Sequence, residues 1–249
     1  MPKFFVNEEQ IDKNKIQITG SDVNHIKNVL REKIGNKITI CNTLTAQDYI
    51  CEITKIQEES ICCNIVEKLE TNVETNIKVT IFQGLPKSDK MELVIQKSVE
   101  LGVYDITPVE MKRCVVKLNE KDKIKKIQRW QKISEVAAKQ CGRGIIPQIN
   151  NVVNIKNICN LCKEYDIVLL AYENEKENTI KQELENIKKI NKDELKIAII
   201  IGPEGGIDNA EAKQLSDAGA KIITLGKRIL RTETVALNVL SIIMYELEN

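Results

Sequence analysis

Two short glycine-bearing runs hold the residues best suited to binding and chemistry. The first is Gly202-Pro203-Glu204-Gly205-Gly206, which directly follows the apolar run 197–201. The second is Leu225-Gly226-Lys227-Arg228-Ile229-Leu230-Arg231, leading into Thr232-Glu233-Thr234. Gly205 and Gly206 let backbone approach a ligand with no Cβ between them. Lys227, Arg228 and Arg231 add three cationic groups to the second run. A lone Gly-Gly reads as a tight turn and nothing more. Two such runs, each following a strand-like segment, point to a ligand site.

The elements that must position these runs are legible on either side. Residues 197–201 are apolar and β-branched, as a strand buried on both faces requires. Asp208 and Glu211, three apart, predict a capping box opening a helix that Gly219 closes. Residues 220–225 read as a second buried strand, and 232–247 as a last helix. The order strand, loop, helix, strand, loop, helix places both loops at the carboxyl edge of neighbouring strands of a parallel sheet, where ligands of α/β folds bind. The usual nucleotide fingerprints are missing: neither G-x-G-x-x-G after the first candidate strand of the sheet nor G-x-x-x-x-G-K-[ST] occurs.

Upstream, residues 77–83 read as a strand and 88–101 as a helix with Met91, Val94, Ile95, Ser98 and Val99 inward. Residues 105–109 form the next strand. That is a βαβ unit and announces a parallel sheet. A long helix over 119–141 carries Trp130, Ile133, Val136 and Ala137 on one side. Residues 166–171 give another buried strand, followed by a helix over 177–190. The first 70 residues differ, with short alternating runs at 4–6, 16–18, 37–41, 49–56 and 61–65, the pattern of a small β-rich, barrel-like domain. One helical stretch interrupts them, 21–31, with Ser21 as its cap and Val23, Ile26 and Leu30 buried. The polar stretch 67–76 marks a boundary, giving domains 1–71 and 72–249.

The chain has 249 residues, 42% hydrophobic and 29% charged, with net charge +1, an ordinary globular composition. No apolar run approaches the roughly 20 residues of a membrane span. Met1-Pro2-Lys3-Phe4-Phe5 lacks a signal-peptide core, so a cytoplasmic location is expected. Residues 85–145 carry 14 Lys/Arg against 8 Asp/Glu, which reads either as a footprint for a phosphate backbone or as a solvated helix face. The eight cysteines show no regular spacing and there is one histidine. Cys159-x-x-Cys162 has no second pair and continues the apolar stripe of Ile155 and Ile158, so no metal site is expected.

Together, Gly202-Pro203-Glu204-Gly205-Gly206 and Leu225-Gly226-x-Arg228-Ile229-Leu230-Arg231-x-Glu233-Thr234-x-Ala236 resemble the SPOUT class of RNA methyltransferases. Within that class the chain is similar to the family that methylates N3 of a uridine in 16S ribosomal RNA. The likeness continues through Lys87-Ser88-Asp89-Lys90-Met91-Glu92, Arg113-x-Val115-Val116-Lys117, Arg129-Trp130 and Gln140-Cys141-x-Arg143, and covers nearly the whole chain. His25-x-x-x-Val29-Leu30-Arg31 resembles the family's PUA-like front domain.

The resemblance implies an α/β fold, a SPOUT-type parallel sheet with a C-terminal trefoil knot plus a small N-terminal PUA-like β-barrel. It implies S-adenosylmethionine as cofactor, held by Leu170, Ala171, Tyr172, Ile201, Gly202, Pro203, Gly205, Gly206, Leu225, Gly226, Ile229, Leu230, Arg231 and Thr234. RNA would be met by His25, Arg31, Lys87, Arg113, Lys117 and Arg143. The expected partners are the 16S rRNA of the 30S subunit and a second copy of the chain. Arg231 is the expected catalytic residue, stabilising negative charge on a uracil carbonyl oxygen. Glu233 is either the acceptor of the N3 proton or a carboxylate favoured by the helix dipole. Ribose 2′-O-methylation of transfer RNA or other ribosomal RNA, a non-catalytic RNA-binding role and a nicotinamide-dependent activity are the alternatives.

Overall fold

The computed structural model describes residues 3–70 and 73–248. The boundary expected between residues 71 and 72 lies outside the described residues. Two compact units emerge. One runs to Glu74 and takes in Ala138–Ile146, and the other comprises Thr75–Ala137 and everything from Pro147 onward.

The first unit is a six-stranded curled sheet built from β1 (Lys3–Val6), β2 (Ile11–Asp12), β3 (Lys15–Thr19), β4 (Lys37–Asn42), β5 (Gln47–Ile56) and β6 (Ser60–Lys68). Every pairing is antiparallel except β1 with β4. In β3 the alternation of Lys, Ile, Gln, Ile and Thr sends Ile16 and Ile18 inward and the polar residues out. Those isoleucines join Phe4, Ile38, Ile40, Ile53 and Ile61 in one apolar core. Between β3 and β4 the chain forms α1 (Ser21–Asn24) and continues as a wider π-type turn over His25–Val29, burying Val23 and Ile26. Ser21 is not the cap: it is the first helical residue, the cap position is Gly20, and Gly20 sits at φ 74°, which a side-chain-bearing residue adopts only with strain.

The second unit is a parallel sheet between helices. Its elements are β7 (Ile77–Gly84), α2 (Lys90–Glu100), β8 (Asp105–Glu110), α3 (Glu120–Cys141, whose last turn belongs to the first unit), β9 (Gln148–Ile149), β10 (Val153–Asn154), α4 (Ile155–Leu161), β11 (Ile167–Ala171), α5 (Ile180–Ile187), β12 (Leu195–Ile201), α6 (Asn209–Asp217), β13 (Lys221–Ile223) and α7 (Thr232–Leu247). The order is β10-β8-β7-β12-β11-β13, with β9 beside β8. Six of the seven residues of β12 are buried, as its unbroken apolar run demands. α2 buries the five residues expected of it. In α3 the inward side is Trp130, Ser134, Ala137 and Ala138, whereas Val136 points out at 56% exposure.

One expectation of topology is corrected. β13 pairs with β11 and not with β12, so the strands that feed the two glycine loops are separated by β11. Three strand ends therefore meet at the carboxyl edge, and the turn after β11 stands between the loops.

Candidate active site

At that edge lies a cavity of about 540 Å³, within the range of pockets that enclose a drug-sized ligand. Its wall takes Ala171, Tyr172 and Glu173 from the end of β11, and Ile201 through Gly206 from β12 and the first loop. Residues 224–232 come from the second loop, and Lys90 and Val235 from α2 and α7. Twelve of the fourteen expected cofactor residues line it. The other two do not: Leu170 is wholly buried inside the sheet, and Thr234 faces solvent in the first turn of α7.

The close packing of the first loop explains its glycines. A Cβ on Gly202 would come within 2.7 Å of Ile207 Cγ1, and one on Gly205 within 3.0 Å of the Arg113 carbonyl oxygen. Gly206 holds φ at +69°. Below the loop, Gly84 at the end of β7 leaves space that Pro203 fills; a Cβ there would lie 2.7 Å from the proline ring.

The two loops are tied together from beneath. Thr232 Oγ1 donates to the Gly202 carbonyl at 2.6 Å and accepts from Gln83 Nε2 at 2.8 Å. Gln83 is fully buried and also donates to the Gly84 carbonyl. Lys90 makes a second tie. Its ammonium lies 3.0 Å from Glu204 Oε1 in the first loop and 3.3 Å from Glu233 Oε2 at the start of α7. The hydrogen bond to Glu204 is the main reason the Lys90 ammonium titrates above its ordinary value. Burial would raise the Glu204 carboxyl, but backbone amides and Lys90 outweigh it and the net shift is downward.

The capping box is half present. Asp208 caps α6 by accepting from the Ala210 amide, while Glu211 accepts instead from the Lys112 amide at 2.9 Å. Tyr172 donates to Asn209 Oδ1 at 2.7 Å and accepts from Asn174. Arg231 lines the cavity, exposed, and no ion pair or side-chain hydrogen bond engages it among the described residues.

The residues expected to meet RNA are treated unevenly. His25 is exposed, edge-on to Phe4, and Arg31 is exposed at φ 57°. Lys87 and Lys117 are exposed. Arg113 donates to the Gly205 carbonyl, which fixes it against the first loop. Arg143 is a correction. It is 7% exposed, and its guanidinium holds both oxygens of Glu74, which also accepts from the Gly144 and Ile145 amides. That arginine is an internal strut. Much of the basic excess of the middle third is similarly engaged, in pairs such as Arg129–Glu92, Lys123–Glu110, Lys132–Glu135 and Lys139–Asp22.

Sequence reasoning missed Lys90, Glu173, Thr224, Thr232 and Val235 as parts of the cavity wall. Lys90 lay inside a recognised motif without an assigned task. The others carried no signal, because strand order brings them in.

Residues 73–244 match the family model described as an RNA methyltransferase domain, and 18–66 match an RNA methyltransferase PUA domain. The chain belongs to this RNA methyltransferase family. It is 36% identical to the ribosomal RNA small subunit methyltransferase E of Bacillus subtilis over 100% of this chain and 98% of that protein. The protein of the same name from Mesomycoplasma hyopneumoniae is also 36% identical, over 97% and 98%. The crystal structure of the Neisseria gonorrhoeae small subunit methyltransferase E, bound to S-adenosyl methionine, superposes with TM-score 0.83 at 28% identity, covering 98% of this chain and 97% of that one. A Legionella pneumophila protein solved with bound SAM gives TM-score 0.83 at 30% identity, over 98% and 96%. The family and the fold, a parallel α/β unit with a PUA-like sheet, are those expected. No helix among the described residues is long and apolar enough to cross a membrane.

Proposed function

We propose that this chain is an S-adenosylmethionine-dependent methyltransferase that methylates N3 of a uridine in 16S rRNA on the 30S subunit. We place it in the cytoplasm, as a homodimer that needs no metal. The observation that carries the reading is the cavity at the ends of β11, β12 and β13, walled by both glycine loops, in a chain that matches the ribosomal RNA small subunit methyltransferases E from end to end. The trefoil knot implied by the resemblance belongs to the same proposal.

The wall suits the cofactor. It is large enough, and backbone dominates the first loop, where added Cβ atoms would collide with Ile207 and Arg113. Ala171, Ile201, Leu225 and Leu230 offer apolar surface for a purine, while Lys90, Glu173 and Arg231 supply charge. S-adenosylmethionine, when bound, supplies a sulfonium methyl group open to displacement. What the chain must add is position and a bias toward the uracil anion, since the N3 proton leaves only well above neutral pH. Arg231 is our candidate to stabilise charge on a uracil carbonyl oxygen, a reading its exposed position on the wall supports. Glu233 is held by Lys90 at the N-terminus of α7, which fits a carboxylate that steadies the helix end. Holding donor and acceptor in line then supplies much of the rate.

The homodimer reading rests on α7. Its outer side leaves Leu237 and Ile242 half-buried and Tyr245 75% exposed, more apolar surface than one packed face uses. A dimer mass by light scattering at micromolar concentration is expected; a monomer would remove this part of the proposal.

The activity test uses tritiated cofactor and 30S subunits from cells that lack the modification, followed by digestion to nucleosides. Label in N3-methyluridine is expected. Label in a ribose-methylated nucleoside, or in transfer RNA alone, would overturn the assignment.

A further inference from the structure

We infer that Glu173 is the residue that receives the α-ammonium group of the cofactor's amino-acid end, an inference that rests on the proposed methyltransferase function. The charges on the cavity wall are not all alike in their engagement. Lys90 and Glu204 are paired with each other. Lys227, Arg228 and Arg231 have no ion pair or side-chain hydrogen bond among the described residues, and neither has Glu173. The wall thus offers three uncommitted cations and one uncommitted anion. A ligand with a sulfonium and an ammonium group would be repelled by the first set and has a single carboxylate to meet.

Placement narrows which of the ligand's two cations that is. Glu173 is exposed, two residues beyond the last residue of β11, so it stands where the cavity meets water. The polar amino-acid end of the ligand belongs there, and the purine belongs against the apolar wall. Glu173 also sits on a braced turn. Its Oε1 lies over Gly206, so that a Cβ at Gly206 would collide with it. On the far side Tyr172 is fixed by Asn209, and Glu175 by the amides of Lys176, Glu177 and Asn178. A turn braced on both sides presents its carboxylate from an ordered backbone, which lowers the cost of a charge-assisted hydrogen bond.

The test is calorimetric titration of the full chain, wild type and Glu173→Gln, with three ligands: S-adenosylmethionine, S-adenosylhomocysteine and 5′-methylthioadenosine. The first two carry the ammonium group, only the first carries the sulfonium, and the third has no amino-acid end. The substitution keeps size and the approach to Gly206 while removing charge. Affinity for the first two is expected to fall about tenfold, as removal of one hydrogen bond between charged groups does, with 5′-methylthioadenosine within about twofold. Weakening of S-adenosylmethionine alone would assign Glu173 to the sulfonium and overturn the inference. Equal weakening of all three, or of none, would overturn it too. If the wild-type chain bound none of them, the methyltransferase reading would fall and this inference with it.

Discussion

At the scale of single residues, the two loops depend on buried polar groups as well as on the glycines that mark them. Thr232 is the clearest case, since its hydroxyl serves the Gly202 carbonyl and Gln83 at once. Thr232→Val keeps the volume and removes both bonds, leaving the Gly202 carbonyl and one of the two buried Gln83 amide hydrogens without this partner. A loss of about 2 kcal/mol in stability, read from denaturant unfolding, is expected, with weaker cofactor binding by calorimetry and recovery of both in Thr232→Ser. Arg231 and Glu233 separate by another measurement. Arg231→Ala is expected to lower single-turnover methylation by about 10²-fold while cofactor and RNA affinities stay near wild type. Glu233→Gln should stay well short of the 10²–10⁴-fold loss, roughly, that removal of a general base brings; a loss of that size would make Glu233 the proton acceptor. The place of Arg231 on the cavity wall was legible because it closes a motif. Thr232, Gln83 and Glu173 were not, because nothing local in the sequence distinguishes a threonine at a helix start or a glutamate in a turn from any other. Their tasks exist only once β7, β11, β12 and the second loop are side by side.

At the scale of elements, long patterns in the sequence translated well and pairings did not. The buried run of β12, the five inward positions of α2 and the extent of α7 follow from periodicity and length, which are properties of one segment. That β13 lies beside β11 follows from where a crossover lands, and no single segment records it. The same limit explains Arg143. Its sequence neighbourhood is basic, yet its partner Glu74 lies 69 residues away. Glu74 joins Ala138–Ile146 to the first unit through Arg143 and the amides of Gly144 and Ile145. Burial alone would raise the Glu74 carboxyl, but the guanidinium and the two amides prevail, and its pKa is lowered. A depressed carboxylate contributes stability that is present above its unfolded pKa and lost as pH falls through the folded value. Glu74→Gln is therefore expected to cost about 3 kcal/mol at neutral pH, read as faster hydrogen exchange of the amides in β5 and β6. The gap from wild type should narrow only at pH below the ordinary glutamate range, as the depressed wild-type carboxylate also gains its proton. A gap that stayed constant with pH would mean the pair adds packing and no charge effect.

For the whole molecule, the question is where a chain of net charge +1 finds its grip on a polyanion. The basic excess of the middle third has the look of a footprint, but many of its cations are engaged by carboxylates of the same chain. A cation already neutralised releases few counterions when RNA binds, so it adds little to the salt dependence of affinity. The exposed, uncommitted cations are a smaller set, and two of them, Lys227 and Arg228, sit on the second loop beside the 86% exposed Ile229. On the proposed function this loop meets RNA next to the methyl donor, so binding and positioning are one event. The paired variant Lys227→Ala/Arg228→Ala is then expected to reduce the slope of log K against log salt by about 1.4 for a single-stranded target, about 0.7 for each phosphate no longer neutralised, while calorimetric affinity for the cofactor, which these cations repel, does not fall. Lys132→Ala, which removes one positive charge from an i,i+3 pair with Glu135 on α3, should leave the slope alone. If the slope fell by the same amount per charge in both, recognition would follow net charge and not the loops. The site would then bind its cofactor without helping to choose the nucleotide.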